Sequence, residues 1–153
     1  MARDALTGDL FSWAPPEVAV GYASDVAGKG PLENRIARLL SRALRDARDE
    51  KGLTRIDIAA RLSAELGRPV SADMLDKWTS EASGQHRIPL DAFIALIRVT
   101  GALDVLGFIP DLFGFAVVDR KYAGIIELQM LEEHESEIAA YKARLTAKIG
   151  GRR

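Results

Sequence analysis

A chain of 153 residues, 48% hydrophobic and 28% charged, is long enough for one ordinary core with tails to spare. It has no cysteine, which excludes disulfides, thiol nucleophiles and cysteine metal sites. With 21 basic against 22 acidic residues its net charge is −1, so any nucleic-acid binding must draw on local basic patches rather than on a global field.

No apolar run is long enough to span a bilayer, and Met1-Ala2-Arg3-Asp4 leads into no apolar stretch of a secretory signal, so a cytoplasmic protein with no membrane partner is expected. Residues 1–30 carry Gly8, Pro15, Pro16, Gly21, Gly28 and Gly30 with little helical period, which predicts an extended N-terminal arm. Within it Leu10-Phe11-Ser12-Trp13 and Val18-Ala19-Val20-Gly21-Tyr22 are too apolar for a freely solvated tail. Either they pack on the chain's own core, or they form a linear motif gripped by a protein partner, with Phe11 and Trp13 as anchors.

Residues 31–110 form the expected helical domain. Its first helix runs from Pro31, suited to a first turn, to Gly52 at the exit, with Ile36, Leu39, Leu40, Ala43, Leu44 and Ala47 on one face. On another face Arg35, Arg38, Arg42 and Arg45 recur at spacings of three, four and three, stacking four guanidinium groups along one ridge. Such a ridge is either a solvated face partly neutralised by Glu33, Asp46, Asp49 and Glu50, or a phosphate-tracking surface.

Thr54 can cap a helix beginning at about Arg55, with Asp57 three residues on completing an Asp version of the capping box. Ile58, Ala59, Leu62 and Leu66 then follow at helical spacing until Gly67 ends the run. Pro69 disfavours helix at Arg68, and Ser71 can cap a third helix in which Met74, Leu75 and Trp78 are the apolar positions, to about Thr79. A polar loop, Ser80 to Arg87, precedes a fourth helix from Pro89 to Gly101. Its residues Leu90, Phe93, Ile94, Leu96, Ile97 and Val99 are apolar enough to predict the middle of the core. A short fifth helix follows, from Ala102 to about Leu106.

Two short amphipathic helices joined by a Gly-containing turn are the plan of a helix-turn-helix. The run Leu53-Thr54-Arg55-Ile56-Asp57-Ile58-Ala59 and the Val70-Ser71 step resemble those that open the second and recognition helices of the phage-repressor (Cro, XRE-like) family. The five-helix order is similar to that domain over roughly residues 33–109. The chain departs from it in carrying about one helical turn more between Leu62 and Val70, so that the second helix is longer or the turn looser, and in a recognition helix poor in basic residues, Asp73 and Asp76 standing against Lys77.

The resemblance implies an all-α, repressor-like five-helix domain and a DNA-binding transcriptional regulator. Leu62 and Trp78 would hold the motif's core. Ser71, Ala72, Asp73, Asp76 and Lys77 would face the groove of double-stranded DNA, and Arg35, Arg38, Arg42, Gln85 and Arg87 would contact its backbone. The alternative is an adaptor that keeps the fold and binds proteins through its arm or its recognition-like surface. No catalytic residue, metal ligand or cofactor is expected, because His86 and His134 are the only histidines, lie far apart and have no partner pattern.

Residues 111–153 comprise a connector and a helix. Asp111 to Asp119 is apolar with β-branched residues near its end and reads as a short strand or an apolar connector. Tyr122 to about Ile149 reads as one long helix in which Leu131, Ile138 and Leu145 recur every seven residues. Glu127, Glu132, Glu133, Glu135 and Glu137 occupy its first half, and Lys142, Arg144, Lys148, Arg152 and Arg153 its second. This segregation complements the helix dipole. It also favours antiparallel over parallel pairing, so a homodimer through Leu131, Ile138 and Leu145 is expected.

Overall fold

The computed structural model describes residues 18–82 and 84–151, over which the chain is mostly helical. Phe11 and Trp13, and with them the expected anchors of the arm, lie outside the described residues. The chain divides into two compact units, the first ending at Val117 and the second beginning at Val118.

In the first unit a short strand, β1 (Ala19–Val20), leads to a single helical turn, α1 (Ser24–Ala27), and then to α2 (Leu32–Lys51). Next come α3 (Arg55–Leu66), α4 (Ala72–Trp78) and α5 (Leu90–Thr100), then a 3-10 turn (Leu103–Gly107) and α6 (Phe108–Asp111). A two-residue strand, β2 (Val117–Val118), pairs with β1. The second unit is a short 3-10 turn and α7 (Ala123–Gly150), 28 residues long. No helix among the described residues is long and apolar enough to cross a membrane.

Local chemistry sets the helix ends. The Thr54 hydroxyl accepts from the Asp57 amide at 3.2 Å while the Asp57 carboxylate accepts from the Thr54 amide at 2.9 Å, so two amides with no intrahelical partner are satisfied reciprocally. The Ser71 hydroxyl accepts from the Met74 amide at 3.2 Å and starts α4. At the other ends, Gly52, Gly67 and Gly101 take left-handed conformations that side chains resist.

The core gathers between α2, α3, α4 and α5. Leu40, Ile58, Leu62, Leu75, Leu96 and Val105 are fully buried, and Trp78 joins the same cluster. The face that α5 gives to this core differs from the expectation. Ala92, Ala95, Leu96 and Ile97 are buried, whereas Leu90 and Ile94, one turn apart on another side, are 71% and 48% exposed. Small residues at 92 and 95 let α3 approach α5 closely, Leu96 and Ile97 fill the core beside them, and Leu90 and Ile94 are left outside.

Among the described residues, the arm is not uniformly extended. Residues 24–27 are helical, and the segment from Val18 to Lys29 is fastened to the domain. Ala27 packs with Leu39 and Phe108 in a second apolar cluster, against which Tyr22 also lies. The Tyr22 hydroxyl donates to Asp46 at 2.8 Å, and the Gly21 amide donates to Asp104 at 3.2 Å. Gly107 is what admits this segment, since a Cβ there would stand 2.4 Å from the Val20 carbonyl oxygen. Among the described residues of the arm, packing on the chain's own core is therefore the outcome.

Candidate nucleic-acid interface

The additional residues lengthen α3, which runs on to Leu66, and the connection to α4 over residues 67–71 is not loose. The Ser63 hydroxyl accepts from the Val70 amide at 2.8 Å and donates to the Ala59 carbonyl at 2.8 Å, tying the end of the turn back to α3. Arg68 in the same turn donates to Asp91 of α5 at 2.8 Å. Val70, Leu75 and Trp78 are buried, so α4 is held by its inner face. Its outer face presents Ser71, Asp73 and Asp76, with Ala72 and Lys77 partly exposed. The expected groove-facing residues thus share one side of the domain.

Charge on that face is balanced by neighbours. Lys77 pairs with Asp73 one turn earlier at 2.7 Å, and Arg55 at the start of α3 pairs with Asp76 while its guanidinium also reaches the Thr79 hydroxyl at 3.4 Å. Gln85 and His86 are exposed in the following loop, and Arg87 pairs with Glu33 of α2 at 3.1 Å. Exposed pairs of this kind contribute little stability and exchange readily for a phosphate oxygen.

The basic ridge of α2 has a different setting from its sequence neighbours. The Arg38 guanidinium donates to the Ala27 carbonyl, to the Lys29 carbonyl at 2.9 Å and to Glu81 at 2.9 Å, linking the segment before α2 to the loop after α4. Gly28, with φ of 63°, leaves room for it, since a Cβ there would lie 2.7 Å from the Arg38 nitrogen. Arg35 stacks over the Phe108 ring at 5.0 Å, with its Nε buried. Arg42 donates to Asp46 at 2.8 Å and lies 5.9 Å from the Tyr22 ring, its side chain 47% exposed. Burial and Asp46 push the Tyr22 phenol well above its ordinary pKa, so it stays the donor in this cluster. Arg38 therefore braces the segment that covers α2, Arg35 packs on Phe108 of α6, and Arg42 keeps an open edge.

A second basic cluster emerges at the other end of α2. An open groove beside the start of α3 is lined by Arg45, Arg48 and Arg55, together with Ser41, Leu44, Leu53, Thr54 and Ile56. Arg45 makes no ion pair among the described residues, and Arg48 pairs only with its neighbour Asp49, at 3.2 Å. Reading the sequence by ridge alone misses Arg48 and Arg55. The signal that finds them is Arg45-x-x-Arg48 one turn apart on the stretch that leads into α3, with Arg55 the first residue of that helix.

Among the described residues no three metal-ligating side chains converge. Comparison with family models, curated proteins and solved structures finds no match to this chain.

Proposed function

We propose that the protein is a non-enzymatic regulator that binds double-stranded DNA through α3 and α4 in the manner of a helix-turn-helix of the phage-repressor type. The observation that carries this reading is the placement of Arg45, Arg48 and Arg55 in one groove at the start of α3, beside the exposed face of α4. In this reading α4 enters the major groove, Arg45, Arg48 and Arg55 take phosphate oxygens, and Lys77 and Gln85 reach base edges. Arg42 and Arg87 give up surface ion pairs to reach the backbone, whereas Arg35 and Arg38 act by holding the domain together. The test is binding to mixed-sequence duplex across a salt titration. A log–log slope of about −3 to −5 matches a handful of phosphate contacts at roughly 0.9 each.

A second reading is favoured by one observation. Asp73 and Asp76 are the most exposed charges of α4, and the cations beside them are already paired. That surface suits an adaptor that binds a protein. No detectable duplex binding by the folded protein at low salt decides for the adaptor.

A further inference from the structure

Helix α7 is continuous from Ala123 to Gly150, about 42 Å long, and none of its residues is buried. Leu131, Ile138 and Leu145 are 61%, 42% and 41% exposed, and seven residues fall only about 20° short of two full turns, so the three form one nearly straight stripe. A helix of this length with its apolar stripe in water has little to hold it in isolation. Its charges are divided, with acid in the first half and base in the second.

We infer that α7 pairs antiparallel with α7 of a second copy about a twofold axis through Ile138. About that axis Ile138 meets itself, and Leu131 meets Leu145 of the second copy. Both flanks of the stripe are then complementary as well. On one side lie Leu128, Glu135, Lys142 and Ile149, each four residues beyond a stripe position or its equivalent. Running one copy backwards sets Glu135 beside Lys142 and Leu128 beside Ile149, twice over by symmetry. On the other side Glu127 comes beside Lys148 and His134 beside Tyr141. An in-register parallel pair would instead turn each flank onto the other, setting Glu135 beside His134, Lys142 beside Tyr141, Glu127 beside Leu128 and Lys148 beside Ile149, so that no Glu would meet a Lys and acid half would stay beside acid half. Charge complementarity on both sides of one stripe, about one axis, is what selects a second copy of this chain as the occupant.

Because the chain has no native cysteine, the register is read directly by disulfide formation in the full-length protein. Ile138→Cys is expected to cross-link to itself under mild oxidation. Leu131→Cys and Leu145→Cys are each expected to cross-link poorly alone and efficiently when the two variants are mixed. Glu135→Lys is expected to weaken the dimer roughly tenfold in sedimentation, and adding Lys142→Glu on the same chain is expected to restore it. Efficient self-cross-linking of Leu131→Cys and Leu145→Cys would establish a parallel pair and overturn the proposal. So would an unmodified protein that is monomeric at about 50 µM. Neither result depends on whether the protein binds DNA.

Discussion

Arg38 offers five N–H donors in a fixed fork, and that fork is occupied by two backbone carbonyls and one carboxylate from separate parts of the chain. Arg38→Ala is expected to lower the unfolding free energy by about 1–3 kcal/mol in urea melts, because it leaves the Ala27 and Lys29 carbonyls short of a charged donor. It is expected to leave the salt slope of duplex binding unchanged. A slope reduced by about 0.9 with full stability would instead return Arg38 to the phosphate surface. Gly107→Ala tests the same segment from the opposite side, and its Cβ, driven onto the Val20 carbonyl, is expected to cost about 1–3 kcal/mol. Asp57 gives a pH-dependent counterpart. The Thr54 hydroxyl and amide donate to its carboxylate and hold its pKa below the ordinary value. A carboxyl with a lowered folded pKa stabilises the fold above its ordinary value of about 4, and this contribution is lost as pH falls through the folded value. Asp57→Asn is therefore expected to lower Tm at pH 7, with the gap to the parent protein closing as the pH is taken from about 5 to about 3. A gap that stays constant over that range would mean the charge is not what Asp57 contributes.

Among the elements, α3 and α4 have the sharper local signals and α2 the more ambiguous ones. A cap is read within four residues, so Thr54, Asp57 and Ser71 mark helix starts in the sequence as clearly as in the fold. A ridge of arginines states only that four cations share a face. Whether that face meets water, phosphate or another segment depends on residues far along the chain, here Tyr22, Ala27, Lys29, Glu81 and Phe108. The triple substitution of Arg45, Arg48 and Arg55 by Ala is expected to preserve Tm to within a few degrees and to flatten the salt dependence of duplex binding by up to about 2.7 log–log units. Binding and slope that do not change would exclude this groove as the phosphate contact. Substituting Lys77 and Gln85 is expected to change sequence preference more than affinity for mixed duplex, as base readers do.

At the scale of the molecule, no residue of α7 is buried, so a chain ending at Tyr122 is expected to keep its melting temperature within a few degrees while losing self-association in sedimentation. A large loss of stability on this truncation would show that the first unit relies on the helix. What the sequence by itself determined is the ordered set of four helices between Pro31 and Gly101, their caps and glycine stops, the burial of Leu62 and Trp78, and the length and charge division of the last helix. Each of these rests on interactions between residues a turn or so apart, which periodicity and capping chemistry reveal. The expected fifth helix is a 3-10 turn, and α6 is not foreseen in the sequence. Only the tertiary structure decided that Val18 to Lys29 lies against α2, that Arg38 braces it while Arg35 packs on Phe108, that Leu90 and Ile94 remain outside the core, and that Arg45, Arg48 and Arg55 share a groove. Those outcomes depend on partners tens of residues apart. A guanidinium or a leucine has the same intrinsic preferences in either setting, and the close packing of the folded chain selects between them.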